Sequence, residues 1–199
     1  MNSSERSLLM KKNKKLVRYV MCALFAALIV VMTFTPYLGY ITVGIIEITT
    51  LHIAVIFGAA VLGPKFGTIL GAVWGATCVM RAFQLGIIPF QNPMVSLVPR
   101  MLVGLVAGLV FYGLSKTKCK KPISLGITAF AGTLTNTVLV LSSLQIFGGF
   151  SALFGDGAKT IDVIVKTLIS TNGLIELVSA IIIVPTLYMA TQKYFKDKI

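Results

Sequence analysis

The sequence has 199 residues, of which 56% are hydrophobic and only 12% are charged. A soluble domain carries about 25% charged residues, and here the apolar residues come in long blocks rather than in alternating patterns. These features exclude an ordinary soluble domain and predict an integral membrane protein.

Six apolar blocks follow one another along the chain and predict six membrane-spanning helices. Their approximate limits are residues 16–35, 51–62, 66–84, 98–114, 123–144 and 172–191. Most of them reach the roughly 20 residues that a helix needs to cross a bilayer. The second block is short, so either it extends back into residues 40–50 or an irregular segment before it lines a cavity, because unpaired backbone cannot face lipid. The predicted fold class is all-α, a bundle of six transmembrane helices.

The positive charges predict the orientation of this bundle. Most of the 18 Lys and Arg residues lie before the first block, after the second, between the fourth and fifth, and after the sixth. The positive-inside rule places these segments, and therefore both the N- and the C-terminus, in the cytoplasm. We divide the chain into a basic cytoplasmic segment (1–15), which can also contact anionic lipid, a membrane domain (16–195) and a cytoplasmic tail (196–199).

The net charge of +12 is thus a topology signal. It does not favour nucleic-acid binding, because the basic segments are separate and lack interleaved aromatic residues. Cys22, Cys78 and Cys119 have no metal-binding spacing, and we predict neither a disulfide nor a metal site. The chain has a single histidine and no hydrolase, metalloprotease or Walker A motif, so we predict that it is not an enzyme and uses no cofactor.

Polar side chains concentrate in the predicted outer halves of the helices and in the outer loops, whereas the inner halves are almost wholly apolar. Because polar side chains in membrane helices generally face a cavity or the bundle interior, this asymmetry predicts a binding cavity that opens outward above an apolar floor. For any single residue the simpler explanation is a wet helix end or an interfacial aromatic belt. The candidate substrate-binding residues are Tyr40, Thr50, His52, Trp74, Asn92, Ser96, Arg100, Asn136, Asn172 and Glu176.

Arg100, at the outer start of the fourth helix, carries the most specific chemistry of this set. Its guanidinium stays charged, and an arginine forms a two-pronged hydrogen bond with a carboxylate. Arg100 therefore either binds an anionic ligand or forms an internal ion pair with Glu47 or Glu176. Arg81 either adds positive charge to the site or contacts lipid headgroups.

Each of the other polar candidates also has a structural explanation. His52 and Asn136 can form hydrogen bonds between helices, and Asn172 can cap the sixth helix. The long glycine-containing segment 145–170, with a short helix predicted at 161–169, is either a lid over the cavity or an inert surface loop.

Small residues recur four positions apart and predict close helix contacts. Gly67, Gly71 and Gly75 form such a series in the third block and favour packing inside the bundle. Ala23 and Ala27, in the first block, either pack internally or form an outward face on which another membrane protein docks.

These features together resemble the substrate-binding S components of energy-coupling-factor (ECF) vitamin transporters. The resemblance covers residues 15–195, and its most specific piece is the glycine-proline turn in "GAAVLGPKFGTILG". It implies a bacterial plasma-membrane protein that captures a vitamin from outside and docks, through Ala23 and Ala27, on a membrane coupling subunit driven by two ATP-binding subunits. The bound vitamin is then released inward.

Within the family, "TLHIAVIFGAAVLGPKFG" and "NPMVSLVPRMLVGLVAG" are most similar to the pantothenate-type members. Pantothenate is a small carboxylate with hydroxyl and amide groups, which the candidate residues suit better than a flat heterocycle. The alternatives are an S component for another vitamin, such as riboflavin, folate, niacin or pyridoxine, and a small-solute transporter that works alone.

Overall fold

The computed structural model describes residues 3–43, 46–147, 150–154, 159, 161–163, 166 and 171–196. Its elements are α1 (Ser3–Phe34), β1 (Tyr40–Val43), β2 (Ile46–Thr49), α2 (Leu51–Leu62), α3 (Pro64–Leu85), α4 (Ile88–Gln91), α5 (Pro93–Ser115), α6 (Lys121–Ile146), α7 (Phe150–Phe154) and α8 (Thr171–Lys196).

Among the described residues, five helical segments are long and apolar enough to cross a membrane: Asn13–Phe34, Pro64–Leu85, Pro93–Ser115, Lys121–Ile146 and Gly173–Lys193. The sixth apolar helix, α2, is shorter. The predicted all-α bundle of six membrane helices is confirmed. Because α1 begins at Ser3, much of the basic segment 1–15 belongs to the first helix, and the division of the chain into segment, domain and tail stays a prediction.

The short helix α2 occupies the centre of the bundle. All residues from Leu51 to Ala60 are buried, and the helix packs against α1, α3, α5, α6 and α8. Protein rather than lipid surrounds it, so it does not need the length of a lipid-exposed span.

The residues before α2 do not extend that helix. They form an antiparallel hairpin of β1 and β2, in which Tyr40 pairs with Thr49. The backbone groups of the two strands form hydrogen bonds with each other. The segment before the short second block is therefore neither an extension of the helix nor an irregular chain. Sequence patterning gave no sign of this hairpin.

The tightest contact in the bundle joins α3 to α5, which run antiparallel. A Cβ atom on Gly67 would overlap the carbonyl group of Gly104, and a Cβ atom on Gly104 would overlap that of Gly67. One turn further along α3, Gly71 lies equally close to the backbone carbonyl of Arg100. The predicted role of the glycine series in internal packing is therefore confirmed.

The two ends of the bundle differ in chemistry. At the end that we call the hairpin end, α1 and α3 finish, the β-hairpin lies, and α2 and α5 begin. At the opposite end, the basic end, Gly63 joins α2 to α3, and the lysine-rich segment 116–120 joins α5 to α6. Gly63 has φ +98°, a conformation that side chains rarely adopt, and Pro64 then occupies the first turn of α3.

The contact between α3 and α5 leads to a stability prediction. Gly104→Ala should lower the free energy of unfolding by about 1–3 kcal/mol, because the added methyl group overpacks a backbone-to-backbone contact. Unfolding of the purified protein in detergent, followed by circular dichroism, measures this change. Gly113→Ala, on the same helix, is the matched control, since a Cβ atom there meets nothing within 4 Å. Equal destabilisation by the two substitutions would contradict the prediction.

Candidate substrate-binding site

Two adjoining cavities open at the hairpin end of the bundle. The inner cavity, of about 170 Å³, is lined by Tyr40, Thr49, Cys78, Arg81, Ala82, Ile87, Phe90 and Arg100. The outer cavity, of about 330 Å³, is lined by Thr33, Phe34, Thr35, Pro36, Tyr37, Tyr40, Arg81, Gln84 and Leu85. Tyr40 and Arg81 line both cavities and so lie at the boundary between them. No carboxylate is among the described lining residues of either cavity, whereas the inner cavity has two guanidinium groups.

Arg100 is held by a local feature of α5. Pro99 has no N–H, so the carbonyl of Val95, four residues earlier, lacks its usual helical donor. The Nη1 atom of Arg100 donates a hydrogen bond to that carbonyl at 3.0 Å. Pro99 thus leaves the Val95 carbonyl without a backbone donor, and the next residue, Arg100, supplies a side-chain donor in its place.

Aromatic rings surround the rest of the Arg100 guanidinium. Its central carbon lies 5.4 Å from the centre of the Trp74 ring and 5.9 Å from that of Phe90. The side chain is only 8% exposed, and its buried Nε has no hydrogen-bond partner in the described part of the chain. Buried charges are normally paired, so this donor is available to an anion in the inner cavity.

Arg81 and Tyr40 form the boundary between the two cavities. The guanidinium carbon of Arg81 lies 3.8 Å from the centre of the Tyr40 ring, a cation–π contact. The Tyr40 hydroxyl and the Cys78 sulfur form a hydrogen bond of 3.1 Å. Burial raises the pKa of Tyr40 above its ordinary value. The phenol therefore stays neutral and does not repel an anionic ligand.

Glu176 joins α8 to the hairpin rather than to Arg100. Its Oε1 atom accepts hydrogen bonds from the Thr49 backbone N–H at 2.6 Å and from the Thr49 hydroxyl at 2.8 Å. The alternative of an Arg100–Glu176 ion pair therefore does not describe this structure. The side chain of Glu47, the other proposed partner, lies outside the described residues.

Several buried polar atoms in this half of the bundle lack hydrogen-bond partners among the described residues. They are both ring nitrogens of His52, Nε1 of Trp74, Nε of Arg100, Oγ1 of Thr133 and Oδ1 of Asn136. Buried polar groups are nearly always paired, and exceptions indicate a ligand or ordered water. The interpretation of His52 and Asn136 as partners in hydrogen bonds between helices stays a prediction.

Packing contacts place His52 and Asn136 at a similar depth. Gly132 of α6 packs against Ile56 of α2 and Ala107 of α5. One helical turn nearer the hairpin end, about 6 Å, these helices carry Asn136 and His52. The contact around Gly132 is therefore an apolar floor beneath the unpaired polar groups.

Two sequence-predicted residues use their hydroxyl groups in hydrogen bonds within the protein. The Thr50 hydroxyl donates to the carbonyls of Leu38 and Gly39 at 2.5 and 3.3 Å. The Ser96 hydroxyl donates to the Phe90 carbonyl at 2.6 Å. Both hydroxyls hold the backbone around the inner cavity, and neither residue lines that cavity.

Asn92 belongs to a different part of the surface. Its Oδ1 atom accepts from the Met94 backbone N–H at 2.9 Å and caps α5. Asn92 lines a separate cavity of about 490 Å³ beside α7. The side chain of Asn172, and most of the predicted lid helix at 161–169, lie outside the described residues.

Sequence reasoning missed Thr49, Cys78 and Phe90. Cys78 is buried, as expected of a small packing residue, yet its sulfur also contacts the Tyr40 hydroxyl in the cavity wall. Phe90 precedes the "NPMVSLVPR" segment, and only its position beside Arg100 in three dimensions indicates a role.

The predicted docking residues lie on the outer face of the bundle. Ala23 and Ala27 are both exposed on α1, where they lie next to the exposed side chains of Leu24 and Leu28. The α1 helix therefore has a shallow row of small residues among larger ones, open to a partner helix or to lipid.

Comparison with known proteins identifies the class. A family model described as "ECF transporter, substrate-specific component" matches residues 14–188. The chain belongs to this family, and it is a multi-pass membrane transport protein rather than an enzyme. The S component for biotin from an ECF-type ABC transporter has the same fold, with a TM-score of 0.61 at 16% identity, covering 89% of this chain and 93% of its own.

Two relatives have names that are more specific. The pantothenic acid transporter PanT of Lactococcus lactis subsp. cremoris is 31% identical over 202 residues, covering 92% of this chain and 97% of its own length. The pantothenate transporter PanT of Leuconostoc mesenteroides subsp. mesenteroides is 28% identical over 186 residues, covering 86% and 90%.

The contact between Thr49 and Glu176 leads to a second prediction. Thr49→Val should lower the free energy of unfolding by about 1–2 kcal/mol, because a hydrogen bond to a charged carboxylate is lost. In the Glu176→Ala background the same substitution should have almost no effect. A double-mutant cycle of unfolding measurements in detergent gives this coupling energy. Thr35→Val is the control, since its hydroxyl bonds only the Val31 carbonyl and its effect should add to that of Glu176→Ala within about 0.5 kcal/mol.

Proposed function

We propose that this protein is the pantothenate-binding S component of an ECF importer. The proposal depends on the inner cavity, where Arg81 and Arg100 line one space and no carboxylate is among the described lining residues. A cavity of this kind favours an anionic ligand. Both named relatives transport pantothenate, a vitamin with one carboxylate.

The proposed binding mode begins with the carboxylate on Arg100. The Nη1 atom of this residue is held by the Val95 carbonyl, and its Nε is unpaired in the described structure. The ring of Tyr40, at the boundary between the two cavities, offers apolar surface for the dimethyl group at the other end of the ligand. The two cavities meet at Tyr40 and Arg81, and together they come within the range typical of small-molecule sites, about 300–1,000 Å³.

We further propose that His52, Asn136 and Glu176 bind the hydroxyl and amide groups of pantothenate, together with Asn172 as predicted from the sequence. None of these residues is among the described lining residues of the inner cavity, but His52 and Asn136 have buried polar atoms without hydrogen-bond partners in the described structure. Thr50, Ser96 and Asn92 then support the site indirectly, by holding the hairpin and the start of α5.

The direction of capture follows from the charges. We propose that the basic end faces the cytoplasm, in agreement with the positive-inside rule, so that the hairpin end receives the vitamin from outside. The apolar contact of Ile56, Ala107 and Gly132 then lies between the site and the cytoplasm. A ligand bound above such a floor needs a partner to be released inward, which favours an S component with a coupling subunit and two ATPases over a transporter that works alone.

The proposed contact between Arg100 and the ligand carboxylate is tested by changing the residue and the ligand in combination. Arg100→Ala should weaken pantothenate binding by about 2–5 kcal/mol, because a buried charge pair loses one partner. Isothermal titration calorimetry of the purified protein measures this change. Pantothenol, which replaces the carboxylate with a hydroxymethyl group, should bind the wild-type protein comparably weakly.

The loss of affinity caused by Arg100→Ala and the loss caused by replacing pantothenate with pantothenol should not be additive. Arg100→Ala should bind pantothenate and pantothenol with similar affinity, since the group that distinguishes them has gone. Lys116→Ala, at the basic end, should leave both affinities unchanged and controls for net charge. If Arg100→Ala still prefers pantothenate by the wild-type margin, another residue binds the carboxylate. If the protein binds neither compound but binds another vitamin, the choice of ligand is wrong.

A further prediction concerns the small-residue row on α1. Ala23→Trp or Ala27→Trp should abolish pantothenate uptake by the assembled importer, because the bulky ring fills the face on which a partner helix packs. Binding of pantothenate to the isolated variant should persist. Leu28→Trp is the matched control: this residue is 45% exposed and lies off the row, so uptake should continue. Uptake by the wild-type chain reconstituted without partners would contradict the need for docking.

A further inference from the structure

A fourth cavity, distant from the proposed vitamin site, lies at the basic end. It has a volume of about 400 Å³ and occupies the space between α1, the turn that joins α2 to α3, and α5. The residues of its lining on which the argument depends are Arg18, Lys65, Phe66, Phe111, Tyr112 and Ser115. We call it the basic-end cavity.

Both charged side chains among the described lining residues of the basic-end cavity are basic: Arg18 contributes a guanidinium and Lys65 an ammonium group. The first turn of α3 also lines it, with neither a capping side chain at Gly63 nor an acidic residue. The partial positive charge of that helix end adds to the two cations. Such a cavity favours an anionic group with several acceptor oxygens, as a phosphate has.

The walls of the same cavity are apolar. Phe66 and Phe111 line it, and Tyr19 packs edge-on against Phe66 with ring centres 5.5 Å apart. Outside it, α1 and α5 expose Tyr19 and Leu109, at 63% and 51%. The basic-end cavity thus adjoins a surface suited to hydrocarbon chains, and a soluble anion would use only its charged part.

We propose that the basic-end cavity binds the phosphate headgroup of an anionic phospholipid, with Arg18 and Lys65 as its ligands and an acyl chain along the outer surfaces of α1 and α5. Basic cavities between membrane helices are suited to such headgroups. The bound lipid would contact both α1 and the turn between α2 and α3, and would so hold that turn against α1. This proposal does not depend on the vitamin site or on which vitamin binds there.

Native mass spectrometry of the full chain in detergent tests this proposal. Phosphatidylglycerol should bind more tightly than phosphatidylcholine, whose headgroup has no net charge. The double variant Arg18→Gln/Lys65→Gln should lose affinity for phosphatidylglycerol about tenfold or more, since each basic residue near a membrane surface contributes about 1 kcal/mol. Arg18→Lys/Lys65→Arg, which keeps both charges, should retain most of the affinity.

The matched control is Lys118→Gln/Lys120→Gln, which removes two exposed charges from the same end but outside the cavity. Its affinity for phosphatidylglycerol should stay within about twofold of wild type, because the charges do not contact the headgroup. An equal loss in this control would overturn the proposal, since it would indicate general attraction to a basic surface. Equal binding of the two lipids by the wild-type protein would also overturn it.

Two further measurements keep the proposal testable even if the double variant does not fold. Phosphatidylglycerol with a photoreactive acyl chain should label the wild-type protein at residues 16–20 or 108–115, and labelling confined to other regions would overturn the proposal. Glycerol phosphate, which has no acyl chains, should displace the lipid only at far higher concentration. Displacement at equal concentration would identify a site for soluble phosphate and not for lipid.

Discussion

The backbone contact between α3 and α5 determines where the chemistry of this protein lies. Within a bilayer, helices gain little from the hydrophobic effect and associate through close packing instead. Glycines 67, 71 and 104 allow that approach, and the contact of Gly71 with the Arg100 carbonyl fixes the height of Arg100 along the bundle. Trp74, on the next turn of α3, consequently lies beside the guanidinium. The glycines that stabilise the bundle therefore also position the buried guanidinium of Arg100.

Pro99 determines how the Arg100 side chain is used. The missing N–H would leave the buried Val95 carbonyl unpaired, and the guanidinium satisfies it with one nitrogen. Its Nε has no partner among the described residues, and the rings of Trp74 and Phe90 lie 5.4 and 5.9 Å from the guanidinium carbon. A charge held in this way loses little conformational freedom when an anion arrives, so more of the interaction energy appears as affinity.

The bundle separates three kinds of surface along its axis. The hairpin end holds two connected cavities with arginines and aromatic residues, the middle is an apolar contact of α2, α5 and α6, and the basic end holds a cationic cavity of its own. The chain belongs to the family described as the substrate-specific component of ECF transporters, and a binding site at one end of the bundle agrees with that description. The short helix α2 fits the same plan, since its central position places its first turn, with His52, next to the site.

The membrane class, the six helices, the glycine packing and the concentration of polar groups at one end could be predicted from the amino-acid sequence, because composition, block length and residue spacing specify them. The family was predicted from a resemblance, whose most specific piece is the glycine-proline turn. Which polar groups bond within the protein and which line the cavity became known from the folded chain. Thr50 and Ser96 bond to nearby carbonyls, Glu176 bonds to Thr49, and Cys78 and Phe90 join the site from positions that look like packing residues. Hydrogen-bond partners and burial depend on neighbours that lie far apart in the chain, and a residue's type and spacing do not specify those neighbours.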